Sequence, residues 1–242
     1  MKMTVLAECH GLTKRFSGKT ALDGVDLRIG RGKVIGLLGP NGSGKTTIIK
    51  ILNGLLQPTS GEVLINGQKP GVYTKSIVSY LPDKTYFADW MTVKDLINMF
   101  HEFYGDFDSA KAEKMCAAME IAPADRIKTM SKGTKEKVQL ILVMSRKAEL
   151  YLLDEPIAGV DPAARDYILS TIINNYNEAG TVILSTHLIS DIERILDEVV
   201  FISQGKIVRH EAIDDIKERE GKSIDGVFKD TFKVVEGKGG KI

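Results

Sequence analysis

An α/β fold built on a parallel sheet is predicted by three features of the sequence. An apolar run of strand character, Val34–Leu38, passes through a glycine-rich loop into a segment with helical apolar spacing at Ile48, Ile49, Ile51, Leu52 and Leu55. Two further apolar runs, Leu150–Leu153 and Thr181–Ser185, each end in polar residues, as strands do where such sheets carry ligands at their carboxyl edge. Between the first of these strands and the later two lies a long helical stretch, an insert into the sheet.

At 242 residues the chain suffices for one large α/β domain, or a core with a small insert. A formal net charge of +1 gives no electrostatic case for nucleic acid as a partner. The two cysteines, Cys9 and Cys116, are far apart without metal spacing and read as reduced thiols of a cytosolic protein. No apolar run approaches the roughly 18 residues that cross a bilayer. Met1–Val5 lacks the apolar core of a signal peptide. A role at a membrane therefore requires another chain to supply the span.

Taken in order, Leu6–Phe16 and Ala21–Ile29 alternate as strands around a Ser17-Gly18-Lys19 turn. Phe16 reads either as an aromatic face for a nucleotide base, worth roughly 1–3 kcal/mol by analogy with base stacking, or as a half-buried strand residue. After the first helix, Glu62–Ile65 is a strand closed by Asn66-Gly67, and Ile77–Leu81 a strand stopped by Pro82-Asp83. From about Lys84 to Arg146 the pattern is helical. A capping box at Thr92–Asp95 opens one helix, Ala110–Met119 forms a second, and Ser131 starts a third. Tyr86, Phe87, Trp90, Phe100, Phe103 and Tyr104 divide between packing and an exposed docking patch. Asp161-Pro162 starts another helix, Val199–Ser203 and Lys206–Val208 form a hairpin, and Ile213–Glu220 is a short charged helix. Beyond Gly221 the pattern weakens, and Glu236–Lys241 reads as a mobile end.

The loop Gly39-Pro40-Asn41-Gly42-Ser43-Gly44-Lys45-Thr46-Thr47 follows the pattern G-x-x-x-x-G-K-T. Gly39, Gly42 and Gly44 let successive N–H groups turn inward as an anion nest, and the following helix aims its positive end at the same spot. Lys45 adds a mobile point charge for β- and γ-phosphates, and the Thr46 hydroxyl is a hard ligand suited to Mg²⁺. Asp154 fits as an outer ligand of that ion. Glu155 fits as the carboxylate that polarises attacking water, worth about 10²–10⁴-fold in rate. His187, at the end of a neighbouring strand, can donate to a γ-phosphate.

With these motifs assembled, the chain from about Leu6 to Ile216 resembles the nucleotide-binding subunit of an ATP-binding cassette (ABC) transporter. The resemblance rests on five features in order: the P-loop, a Leu-Pro-Asp element, Met130-Ser131-Lys132-Gly133-Thr134, Asp154-Glu155 and His187. It implies a P-loop NTPase (RecA-like) core with an antiparallel β subdomain and an inserted α-helical subdomain. The implied division is an ATPase domain over 1–220, with core 1–84 and 147–220 and helical subdomain 85–146, followed by a tail at 221–242. It implies ATP and Mg²⁺, with Thr46, Asp83 and Asp154 on the metal and Glu155, His187 and Lys45 in catalysis. Two cassettes, identical or different, pair head to tail, so that Ser131 and Gly133 of one face the nucleotide held by the other's P-loop. Phe16 stacks on adenine, Asp161 reads the partner's site, and the surface from just after Asp83 to about Phe103 receives a separate transmembrane permease. The expected location is cytoplasmic, peripheral on the inner face of the membrane.

Two departures accompany the resemblance. Lys132 and Thr134 replace a glycine and the glutamine of Leu-Ser-Gly-Gly-Gln, a Ser-Lys-Gly variant similar to bacterial ABC-2 exporter subunits. Asp83 stands where the family usually has glutamine. A soluble assembly-type scaffold ATPase, as in iron–sulfur assembly, is the competing expectation, and a non-hydrolysing cassette is disfavoured by the presence of Lys45, Asp154, Glu155 and His187.

Overall fold

The computed structural model describes residues 5–239, so the signal-peptide reading of Met1–Thr4 lies outside the described residues. The chain opens with strands β1 (Val5–Phe16) and β2 (Lys19–Gly30), an antiparallel hairpin. Strand β3 (Val34–Leu38) leads through the glycine-rich loop into helix α1 (Lys45–Leu52), and β4 (Ser60–Ile65) returns to pair with β1. A six-residue helix α2 (Val72–Ile77) precedes β5 (Val78–Leu81). The helical stretch contains α3 (Val93–Phe103), α4 (Ser109–Ala118) and α5 (Lys132–Met144). Then come β6 (Leu150–Asp154), α6 (Pro162–Asn175), β7 (Thr181–Thr186), α7 (Ile189–Ile192), β8 (Glu198–Ser203) and β9 (Lys206–Ala212). Helices α8 (Ile213–Glu220) and α9 (Ile224–Gly239) complete the described chain.

The strands form two sheets, β2-β1-β4 and β5-β6-β7-β3-β8-β9. In the larger one every pair is parallel except the β8–β9 hairpin at its edge. Strand β3 lies between β7 and β8, and all five of its residues are buried. Its unbroken apolar run follows from cover on both faces, where alternation would leave polar side chains without water. The carboxyl ends of β3, β6 and β7 therefore meet at one sheet edge.

Among the described residues three apolar cores hold these layers. One covers one face of the large sheet with α6, α7 and α9; a second fills the space between the other face, α1 and the small sheet; a third lies among α3, α4 and α5. Helix α5 belongs to two of them. Leu140, Val143 and Met144 join the sheet core, while Val138, Ile141 and Leu142 join the helical one.

Local chemistry fixes the helix ends. Thr92 Oγ1 accepts from the Asp95 N–H at 3.2 Å, and the Thr92 N–H donates to Asp95 Oδ2 at 2.8 Å, the reciprocal capping box at the start of α3. Ser131 caps α5 by accepting the Thr134 N–H at 3.1 Å. The aromatic group divides: Phe100 is buried, whereas Tyr86, Trp90 and Phe103 are exposed.

Two elements differ from the expectation. Helix α2 occupies a stretch read as leading straight into a strand, which begins at Val78 rather than Ile77. Beyond Gly221 the pattern does not fade; Ile224 and Val227 of α9 are buried, and Phe228 and Phe232 pack on Phe201 with ring centroids 5.4 and 6.3 Å away. Helix runs to Gly239, and the last residues expected to be mobile, Gly240 and Lys241, lie outside the described residues.

Candidate functional site

The glycine loop folds as it does because side chains will not fit. A Cβ on Gly39 would stand 2.3 Å from the Ile202 carbonyl oxygen. Gly44, with φ at +116°, occupies backbone space closed to L side chains, and its Cβ would also strike the Ala21 carbonyl at 2.8 Å. The loop is thereby pressed against the small sheet and β8, with α1 starting at Lys45. Beside it opens a cleft of about 640 Å³ lined by the loop, Phe16, Asp83, Lys132, Glu155 and His187. That volume suits a nucleotide.

Lys45 is not a mobile charge in this state. Its side chain is 5% exposed, and Nζ donates to the Gly39 carbonyl at 2.8 Å and the Pro40 carbonyl at 3.3 Å. Glu155 Oε1 lies 3.4 Å from the same nitrogen. The ammonium is thus held at the mouth of the loop by the oxygens it would exchange for phosphate.

At the end of β6 the two acids reach the site differently. Asp154 is fully buried; its Oδ1 accepts from Ser185 Oγ at 2.7 Å and from Thr46 Oγ1 at 3.1 Å, while Oδ2 meets no donor among the described residues. Burial pushes the Asp154 carboxyl up, the hydrogen bonds from Ser185 and Thr46 oppose this, and the Asp83 and Glu155 charges add to it. Glu155 sits at φ +51°, a left-handed conformation uncommon for glutamate. Its N–H donates to the Ser185 carbonyl at 3.1 Å and Ser185 Oγ at 3.0 Å. This bend keeps two adjacent carboxylates on one side, where an extended strand would send them apart.

His187 Nδ1 is 3.1 Å from Glu155 Oε2. An ionised carboxylate only accepts, so Nδ1 carries the hydrogen in this arrangement. Nε2 then donates to a phosphate only as imidazolium, or after the ring leaves Glu155. Phe16, at 48% exposure, lines the cleft with the Lys14 ammonium 5.1 Å from its ring centroid. It is not a core residue, and its exposed part faces the cleft.

Ser131 and Gly133 are exposed at the start of α5 and do not line the chain's own cleft, although Lys132 between them does. Asp161 is exposed just before α6, its carbonyl accepting from the Arg165 N–H at 3.0 Å. Sequence reasoning missed Ser185, which fixes Asp154 and the Glu155 backbone together. The available signal was a serine closing an apolar strand two residues before His187.

Thr46 and Asp154 fit a divalent cation held jointly with substrate phosphates. The buried Asp154 Oδ2 is an unpartnered hard oxygen, and Thr46 brings a second oxygen to the same carboxylate. Among the described residues no cluster of three or more acids, histidines or cysteines could hold a metal alone. Phosphate oxygens would have to complete such a shell.

Fold and cleft together define a P-loop nucleoside triphosphatase. The family model for ABC transporters matches residues 22–158. The chain is similar to the ABC transporter ATP-binding protein YtrB of Bacillus subtilis (strain 168), 32% identical over 216 residues that cover 88% of this chain and 74% of YtrB. Among solved structures it is similar to an ATP-binding subunit of an ABC transporter, with a TM-score of 0.83 and 26% identity over 94% of this chain and 99% of that one. A dimeric cassette, MJ0796 bound to ADP and Pi, shares the fold at a TM-score of 0.74 and 20% identity, over 86% of this chain and 98% of that one. The chain belongs to the ABC transporter family, as its ATP-binding and ATP-hydrolysing subunit.

Proposed function

We propose that two such cassettes, identical or closely similar, close head to tail around Mg·ATP and thereby drive a separate membrane permease. The observation that carries this reading is the free start of α5. Among the described residues a Cβ on Gly133 would meet nothing within 4 Å, and Gly133 has no positive φ, so none of them requires glycine there. A close approach from outside would. Ser131 and the N–H groups beside it then form an anion nest for the γ-phosphate held by the other chain. The dimeric MJ0796 cassette bound to ADP and Pi supports the same assembly.

In that closed site each residue has a distinct task. Phe16 stacks on adenine. The amides of Gly39 to Thr47 hold the phosphates, and Lys45 leaves Glu155 to neutralise the β- and γ-oxygens. Glu155, released from Lys45, orients the attacking water and accepts its proton. His187 contacts the γ-phosphate, and Asp161 reads the opposite site. Thr46 and Asp154, with Asp83 at the rim, would hold Mg²⁺, which supplies Lewis-acid neutralisation of charge on the phosphates.

Transmission to the membrane falls to the helical insert. We take core 1–84 and 147–220 and helical subdomain 85–146 as the division, with α9, expected as part of a tail at 221–242, packed on the core through Ile224, Val227 and the Phe201 contacts. A groove of about 550 Å³ runs between the lobes past Tyr80, Asp83, Tyr86, Phe100 and Tyr104. With Trp90 and Phe103 exposed nearby, this is the surface for the permease. Among the described residues no helix is long and apolar enough to cross a membrane. In this reading the subunit docks peripherally, on the cytoplasmic face, through the permease. The Ser131-Lys132-Gly133 variant favours an exporter of the ABC-2 type. Co-purification with a multi-span protein from solubilised membranes, lost on substituting Trp90 and Phe103 by aspartate, tests this reading. Retained association in the variants refutes the docking surface.

A further inference from the structure

One face of α5 runs along the nucleotide cleft. Lys132 and Glu136 line the cleft itself, and Glu136 and Gln139 line a small cavity of about 40 Å³ beside it, together with Asp83 and Glu155. Their spacing of four and three places them on a single helical face. Gln139 is the anomaly. It is 2% exposed in the otherwise apolar run from Val138 to Met144.

Its side-chain amide donates to the Pro82 carbonyl at 3.3 Å, while Oε1 meets no donor among the described residues. Reversing the amide would face two acceptors together, so chemistry fixes the orientation. A buried acceptor without a donor is costly, and an apolar residue of similar volume would fill the position without that cost. Packing alone therefore does not account for glutamine here. Pro82 lies between β5, which ends at Leu81, and the segment leading to α3 at Val93. It is the point where the chain leaves the sheet for the helical lobe, immediately before Asp83. Helix α5 begins at Ser131's cap and is built into both the sheet core and the helical core.

We propose that Gln139 is the positioning residue that makes α5 follow Asp83. Its N–H holds the Pro82 carbonyl. If Asp83 closes toward Thr46 and Asp154, the residues that would hold Mg²⁺, Oε1 would gain a donor from the Asp83–Thr85 backbone N–H groups or from a water in the cavity. The shifted loop and α5, with Ser131 at its tip, then move as one body. This inference rests on the reading of Asp83 as a metal-side residue.

The test uses the full chain and Trp90, its only tryptophan, exposed on the segment between Asp83 and α3. Emission from Trp90 is followed on adding Mg·ATP, alongside nucleotide affinity, thermal melting and steady-state hydrolysis. Gln139→Met keeps the volume and removes both polar functions; Gln139→Asn keeps the amide and withdraws it by one methylene. Both are expected to lose most of the Trp90 response and at least about fivefold in kcat, with KM and nucleotide affinity within about twofold of the original. A purely structural role would instead leave the methionine variant unaffected in emission and kcat, and that result overturns the proposal. So does a Trp90 signal that ignores Mg·ATP in the unmodified chain. Asp83→Ala separates the two levels. If it abolishes the response while the Gln139 variants keep it, the coupling role fails and the Asp83 reading stands. If it changes neither emission nor turnover, the Asp83 reading fails and takes the proposal with it.

Discussion

The Lys45 ammonium and the Glu155 carboxylate face each other at 3.4 Å, with the other oxygen of that carboxylate 3.1 Å from His187 Nδ1. In the proposed mechanism the residue that would bind phosphate and the residue that would activate water thus hold one another before substrate arrives. On that proposal, a γ-phosphate that claims Lys45 would release Glu155 and so link hydrolytic competence to a filled site. Glu155→Gln removes the charge that competes for Lys45 and the base together. Turnover should fall by about 10²–10⁴-fold while ATP affinity is retained or rises, as read by phosphate release and equilibrium nucleotide binding.

Lys45→Ala has the opposite signature. It deletes charge-assisted bonds of about 1.5–3 kcal/mol each to the phosphates, so ATP affinity should drop by at least tenfold to a hundredfold, that is about 1.4–2.8 kcal/mol. Size-exclusion chromatography with Mg·ATP should then show no nucleotide-dependent association.

Ser131 has two jobs that substitution can separate. It caps α5 within its own chain, and it is proposed to meet a partner's phosphate. Ser131→Asp keeps a good cap and places an anion where the γ-phosphate would sit. Thermal stability should be nearly unchanged, whereas ATP-driven pairing should vanish. Ser131→Ala should cost about 1 kcal/mol of stability through the lost cap and weaken pairing less.

Acid sensitivity should be written at the edge of the large sheet, away from the cleft. Glu198 on β8 is hydrogen-bonded by His210 of β9 and by Lys33, and the His210 contact first, then Lys33, hold its carboxyl down to about 2 from an ordinary 4.5. A depressed carboxyl favours folding while ionised, so this contribution is complete above the ordinary value and is lost as pH falls toward about 2. Melting temperature should decline across that window, and Glu198→Gln should start lower and decline less.

The local elements were legible because their ends carry chemistry. The Thr92–Asp95 box, the Ser131 cap and the Asn66-Gly67 turn each announce a boundary in residue type alone. Helix α2 gave no such signal; Val72 and Tyr73 are exposed and only Thr74 is buried, so no apolar face existed to read. Helix α9 does carry apolar spacing at Ile224, Val227, Phe228 and Phe232, obscured by Gly226 and the glycine-rich run that follows. The phosphate loop and both acids were readable from their residue types. The Ser185 hydroxyl on Asp154, 31 residues away, and the Gln139 amide on Pro82, 57 residues away, were not. Strand order and lobe packing create those contacts, and no local pattern encodes them.

The most direct test is a structure of the Glu155→Gln protein trapped with Mg·ATP. Ser131 Oγ and the Gly133 N–H of one cassette should lie within hydrogen-bonding distance of the γ-phosphate seated in the P-loop of another. A γ-phosphate contacted by residues of a single chain only, with Ser131 and Gly133 facing solvent, would contradict the account.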